Sequence, residues 1–289
     1  MLAGLMFLVK PSGCAAVATE YEDQLSTPRC ITEDQICHHI ANLSPYKAPR
    51  ADEIPNIVLK MCTDLITPYL LQIYWAALEL WVYADQWRDI TTCMLRKPDK
   101  LRYDVPKAYR LIALIKTIAK LLSAIVTEDI VHLTEVHQLL PAHHFGGRPG
   151  RTTTDSLHVL VDTIKAAWWR KQVVSVIFLD NEGAFPTEWL LHNLQTCCIP
   201  ETYMQLIHCM LTGRRNRLKF NDYVSEWFSL DNGIIQGNPL SMVLYLYYNA
   251  DMIDISRGRS EMCLGYVDDT VEKYEGHSLG AQKEMGMRR

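Results

Sequence analysis

Two runs of strand-forming residues that each close on aspartate constrain this chain more than any other feature. VVSVIFLD (173–180) is a continuous apolar run of β-branched character ending in Asp180, the pattern of a buried strand with a carboxylate at its tip. LGYVDDTVE (264–272) sets Asp268 and Asp269 side by side among Leu264, Tyr266, Val267 and Val271, in a short strand–turn–strand context. An acidic pair in a solvated loop needs no explanation, whereas one framed by apolar residues does. Asp180 lies far from Asp268 along the chain, so only the fold can bring them together. A fold that does so creates a cluster able to bind divalent cations. Nucleotidyl and phosphoryl transfer need such a cluster, because two Mg²⁺ ions roughly 3.5 to 4 Å apart serve the attacking and the leaving oxygen.

The chain's 289 residues suffice for two subdomains, and 48% hydrophobic against 21% charged residues is a globular composition. The formal charge of -4 argues against a simple basic nucleic-acid-binding domain and leaves local clusters as the candidates: RKPDKLR (96–102), RPGR (148–151) and RRNRLK (214–219). Nine cysteines without a CxxC pair fit a reducing compartment. Cys37, His38 and His39 have only Cys30 as a nearby sulfur, so they read as a thiol and ordinary polar histidines rather than a metal site. The opening MLAGLMFLV is too short to span a bilayer, lacks a basic leader pattern and reads as the ragged start of a fragment. Other apolar runs, near 64–82 and 234–253, are broken by Asp, Glu, Asn or Pro.

No repeat or low-complexity linker interrupts the chain. A Thr cap followed by acids predicts a helix over 32–43, and proline-rich 44–55 reads as a loop. Residues 56–81 have helical periodicity with an interruption expected near Pro68. Residues 90–98 read as a strand, 111–136 as a periodic helix, and 143–154 as a Gly/Pro/Arg loop leading into another helix. The irregular alternation of helices and short strands predicts an α+β architecture without a regular βαβ period.

At this point the residues resemble a known family. GYVDD resembles the YxDD box of reverse transcriptases, and VIFLDNEGAF their first catalytic box, a strand ending in Asp with an aromatic five residues later. DNGIIQGNPLSMVLYLYYNA (231–250) is similar to the QGxPLS motif that lies between those boxes and turns into a helix. Upstream, PKAYRLIALIKTIAKLL, HHFGGRPGRTTTDSLH and SPYKAPRADEIPNIVLK resemble finger segments of non-LTR, LINE-type retrotransposon enzymes. The resemblance spans roughly residues 30–275.

It implies a right-hand polymerase fold and an RNA-directed DNA polymerase that works on an RNA template, a DNA primer and dNTPs, with Mg²⁺, or Mn²⁺ in its place, and no membrane. The implied division is a ragged segment 1–29, fingers 30–155, palm 156–190, a fingers/palm connection 191–235, palm 236–275 and a tail 276–289. No thumb-like pattern follows about residue 275, and neither an endonuclease nor a ribonuclease H pattern flanks these boxes. Asp180, Asp268 and Asp269 match the catalytic, metal-binding carboxylates. Phe185 matches the ring that excludes a 2′-hydroxyl, Gln236 and Gly237 shape the nucleotide pocket, and Arg110 and Lys97 neutralise the triphosphate. Arg148 and Arg151 fall near the template path. Independently of the resemblance, RRNRLKF (214–220) offers nucleic-acid contacts through Arg214, Arg215 and Arg217 beside an aromatic. The family's workplace is chromosomal DNA, so nuclear localisation is expected, with the cytoplasm as alternative.

Several positions depart from the family pattern: Arg50 and Ala51 stand for Gly-Pro, Leu111 for Pro, Gly147 for an aromatic, and Pro186 for Asp. Two other readings remain open, an inactive remnant that at most binds nucleic acid and a two-metal nuclease. Structural roles also stay open at single residues: core packing for Phe185, a turn for Gln236, a solvated basic hairpin for 214–220, and packing between helices for Trp168 and Trp169.

Overall fold

The computed structural model describes residues 24–25, 30–46, 54–180, 186–254, 260–267 and 269–276, with the side chains of Lys107 and Asp180 left aside. Its largest core is helical. Helix α1 (Glu33–Ala41) opens on a capping box in which Thr32 and Gln35 satisfy each other's backbone amides. Helices α2 (Asn56–Met61) and α3 (Thr63–Glu79) follow, and the break between them falls at Cys62 (φ -104, ψ 17) rather than at Pro68, which sits inside α3. Pro68 is the sixth residue of α3 and lacks the N–H that would return to the Asp64 carbonyl, so the helix continues through it at the cost of one intrahelical hydrogen bond.

The segment expected to be one helix over 111–136 divides. Strand β2 (Tyr109–Leu114) pairs antiparallel with β1 (Asp89–Arg96), and α4 (Thr117–His137) starts only after it. A short run such as Leu-Ile-Ala-Leu-Ile fits strand and helix equally well, and here the waiting edge of β1 decides. Helix α4 ends on Gln138 in the left-handed region (φ 52). Helix α5 (Thr153–Trp169) begins on a second capping box, Thr152 with Asp155.

Strand β3 (Val173–Asp180) forms as expected but is not buried: it is an edge strand, with Phe178 72% and Ile177 45% exposed. A continuous apolar run is the mark of a strand covered on both faces; among the described residues its one ladder neighbour is β8 (Asp269–Gly276), which pairs on its other side with β7 (Glu261–Tyr266). Helix α5 packs on one side of this antiparallel sheet through Leu160, against Met262 and Leu264. On the other side Ile253, in α8 (Leu240–Ile253), reaches Gly265.

Helices α6 (Thr187–Thr196) and α7 (Glu201–Leu211) complete the helical core with α1, α3, α4 and α8, around Tyr74, Leu122, Ile125, Ile207 and Tyr247. The chain then returns to the first sheet. Strand β4 (Arg214–Phe220) lies parallel to β1, and β5 (Tyr223–Val224) and β6 (Phe228–Leu230) both pair with β4, giving a five-stranded sheet. Among the described residues the outcome is an α+β arrangement with one five-stranded and one three-stranded sheet. Trp168 and Trp169 do not pack between helices; they are 63% and 88% exposed at the end of α5. Among the described residues no helix is long and apolar enough to cross a membrane.

Candidate active site and nucleic-acid interface

The β3–β8 ladder runs in register from Val173↔Gly276 to Asp180↔Asp269, so the two aspartates are direct cross-strand partners. Directly opposed residues of an antiparallel pair have Cα atoms about 4.5–5.5 Å apart. Tyr266 is the partner of Asp269 on the third strand, and Val267 follows Tyr266 at the end of β7. Asp268 and Phe185 lie outside the described residues, as do Arg50 and Ala51. Among the described residues no three His, Cys, Asp or Glu side chains converge on a metal position. The chemistry of the opposed pair nonetheless suits a cation, because two like charges directly across a ladder repel, and a bound cation removes that repulsion.

The turn is held under backbone strain. Val267 has φ 57, in the region β-branched residues avoid, and a two-residue hairpin demands positive φ at that place. Two neighbours hold it there. The Val267 carbonyl accepts a hydrogen bond from Asn249 Nδ2 at 3.4 Å. Residues 143–145 run parallel to β7, with Phe145 N–H donating to the Gly265 carbonyl at 2.8 Å and Gly265 N–H donating to the His143 carbonyl at 3.0 Å. This approach needs two glycines: a Cβ on Gly146 would lie 2.5 Å from Val267 N, and one on Gly265 would lie 3.0 Å from His144 Cδ2. His144 is fully buried beside Gly265, and burial, with Arg148 and Arg151 adding, pushes its imidazole down to about 4. The sequence reading missed this brace; its one signal was the Gly-Gly pair inside a loop followed by a third glycine before Tyr266.

Gln236 and Gly237 dock on the outer edge of β2. The Gln236 carbonyl accepts from Ala113 N–H at 2.9 Å, and Gly237 has φ +118 with its missing Cβ position 2.8 Å from the Ala113 carbonyl oxygen. The Gln236 side chain is exposed, as is Arg110 on the same strand as Ala113, while Lys97 is half-buried just past β1. The β2 register therefore links the QG turn to the arginine expected at the triphosphate.

The basic residues separate sharply. Arg148 is 6% exposed and makes a two-pronged ion pair with Glu135, Nε to Oε1 at 2.7 Å and Nη2 to Oε2 at 2.9 Å, which holds the Glu135 carboxyl below its usual range. Arg151 donates to the Ala142 and His144 carbonyls and stacks 5.7 Å from the Phe145 ring. Both arginines thus fasten the 141–151 loop, and Arg148 in particular has no guanidinium surface left for a phosphate, contrary to expectation. Arg214 is 1% exposed and donates to the Leu211 carbonyl, so it too is internal. Alternation along β4 is the reason: Arg214 and Asn216 face the core, Arg215 and Arg217 face out. Gly147, at φ +70 with its Cβ position 2.8 Å from Met242 Cγ, has no space for the family's aromatic.

Against this geometry, the family described as reverse transcriptase (RNA-dependent DNA polymerase) matches residues 95–282. The chain belongs to the reverse transcriptase family. Its relatives place it among non-LTR retrotransposon enzymes, as the finger boxes had implied. The probable RNA-directed DNA polymerase from transposon X-element of Drosophila melanogaster is 30% identical over 83% of this chain and 27% of its own length. That from transposon BS is 27% identical over 88% of this chain and 29% of its own. The RNA-directed DNA polymerase from mobile element jockey of Drosophila funebris is 27% identical over 77% and 24%. The chain thus spans about a quarter of the length of these reverse transcriptase relatives. Membership implies a palm-and-fingers polymerase fold, which fits the mixed helices and sheets, and a divalent metal with template, primer and dNTP as the ligands of the family.

Proposed function

We propose that the chain is the fingers and palm of an RNA-directed DNA polymerase that joins a dNTP to a primer 3′-hydroxyl on an RNA template, in the nucleus. The observation that carries this reading is the ladder pairing of Asp180 with Asp269, the residue that follows Asp268 in the sequence. In it the three-stranded sheet is palm and the five-stranded sheet belongs to the fingers. Asp180 and Asp268 would hold Mg²⁺, or Mn²⁺ in its place, with Asp269 completing the acidic set. A divalent pair there supplies charge neutralisation at the attacking and leaving oxygens. Arg110 and Lys97 bind the triphosphate, Gln236 and Gly237 bound the nucleotide pocket on β2, and Phe185 occludes the space of a 2′-hydroxyl. The protein's own part is positioning: the carboxylates, held by a braced hairpin, need no rearrangement when charge develops.

The test is Mg²⁺-dependent primer extension on an RNA template by the purified chain, beside Asp180→Asn and Asp268→Asn. Extension lost in both variants is the expected result. Template binding without extension by the unmutated, folded chain would replace the reading with an inactive remnant, and substrate cleavage without dNTPs would replace it with a nuclease.

A further inference from the structure

The outward face of the five-stranded sheet gathers charge that the fold does not need. Arg215, Arg217 and Lys219 alternate along β4, so all three project from the same face, successive members about 6.6 Å apart at the rise of an extended strand. The ladder puts Asp89, Thr91 and Cys93 of β1 opposite them, and one strand further Leu95 opposes Arg110, so Arg110 shares this face. Only one carboxylate among these partners answers the cations: Asp89 accepts from Arg215 Nε at 2.8 Å and from Nη2 at 2.9 Å. Arg217 donates to Thr91 Oγ1 at 3.0 Å, a neutral partner, and Lys219 is exposed.

Trp227 makes this crowd stable. The guanidinium of Arg217 lies 4.7 Å and that of Arg215 5.6 Å from its ring centroid, so one indole holds two arginines side by side. Like charges this close on a strand are unfavourable by themselves. The chain as a whole is at -4, so composition does not account for the concentration of cations here. Meanwhile the opposite face of β4 anchors the strand: Arg214 is buried, and Asn216 Oδ1 accepts from Thr92 Oγ1 at 2.9 Å.

We propose that this face is a track for the phosphates of a single nucleic-acid strand, made by Arg215, Arg217 and Lys219, positioned by Trp227 and continuous with Arg110. The spacing of alternate strand residues is comparable with that of successive phosphates in an extended polynucleotide, and guanidinium groups suit phosphate oxygens. With Arg215 and Arg217 held against its ring, Trp227 organises charge, so the track reads backbone and not sequence. The inference deepens the polymerase reading by naming where a strand rests away from the acidic hairpin.

The test is fluorescence anisotropy of a labelled oligouridylate with the whole chain, in chelator and without dNTP, across a range of salt. Lys219→Gln should reduce the slope of log affinity against log salt by about 0.7, the value per phosphate contact for a single strand. Arg215→Gln/Arg217→Gln/Lys219→Gln should weaken binding more than ten-fold and lower the slope by about 1.5 to 2. Asp89→Asn, which removes the one carboxylate, should bind two- to five-fold tighter, a gain that misfolding cannot produce. Lys171→Gln, on the exposed turn before β3, serves as the control. Unchanged affinity and slope in the triple variant, an equal loss in Lys171→Gln, or no tightening in Asp89→Asn would overturn the proposal. Because neither metal nor nucleotide is present, failed extension with intact binding refutes the polymerase reading alone, whereas extension with track-independent binding refutes the track alone.

Discussion

Gly146→Ala should disable nucleotide incorporation while leaving the protein folded. The added Cβ would lie 2.5 Å from Val267 N, 2.6 Å from Val267 Cγ2 and 3.0 Å from the Tyr266 carbonyl carbon. Ordinary contact begins near 3.4 Å, so one of the two backbones must retreat by about 0.9 Å. The retreating atoms are backbone of the hairpin that carries Asp268 and Asp269, and no side-chain rotamer can absorb the overlap. Overpacking of this kind costs about 1–3 kcal/mol in stability. A displacement of roughly 1 Å at a reacting centre costs on the order of 100-fold in rate. Single-turnover primer extension should therefore fall about 100-fold, with template binding retained and unfolding in denaturant shifted only modestly. Gly150→Ala is the comparison. Gly150 has φ +70 but nothing within 4 Å of its Cβ position, so it bears a backbone cost of about 1–2 kcal/mol and pushes on no hairpin. The argument fails if Gly146→Ala extends primers at the unmutated rate, or if Gly150→Ala loses as much activity at equal stability.

Asp269→Asn should abolish extension and yet raise metal-free stability by about 0.2–1 kcal/mol, since it relieves the opposed charge on Asp180; denaturant titration in chelator reads this directly. Gly237→Ala meets the Ala113 carbonyl at 2.8 Å in a φ +118 backbone, so the QG turn should detach from β2 and raise the KM for dNTP more than it lowers stability. His144 should make the fold acid-sensitive. Unfolded, its imidazole takes a proton below about pH 6.5, whereas folded it resists down to about 4. The stability it lends is thus complete above pH 6.5 and is lost as pH falls toward 4, at up to about 1.4 kcal/mol per pH unit. His144→Leu should flatten that part of the stability–pH profile, and an unchanged profile would show that His144 is not the sensor.

Much of the site was legible because its chemistry is local. Asp180 at a strand end, the Thr32 cap and the QGNPLS turn into α8 each depend on a few consecutive residues, and those residues form those elements. What failed depends on partners distant in sequence. Ile177 and Phe178 look like core until the ladder puts β3 at an edge, and Leu111 to Leu114 read as helix until β1 supplies its unpaired edge. The arginines show the same division. A strand period would have separated Arg214 from Arg215, but which face is inward is set by Leu211 and by Thr92 on β1. The bracing of the hairpin by residues 143–146 was invisible because it is made by backbone, and backbone contacts leave only glycines as a trace in sequence.

The order of pairing has a consequence for how the molecule assembles. Strand β1 awaits β4, and β3, which is synthesised between them, awaits β8, so the two sheets close in an interleaved order along the chain. Neither sheet is a contiguous piece of polypeptide that can finish before the other has begun. Both depend on loop closures over long stretches of chain, the kind of contact that slows folding and leaves strand edges open in the meantime. Under the proposed reading, fingers and palm would each include residues from both sides of this interleaving. A chain cut before β8 loses the central strand of its three-stranded sheet, and β3, with Phe178 and Asp180 on it, is left with no partner among the described strands.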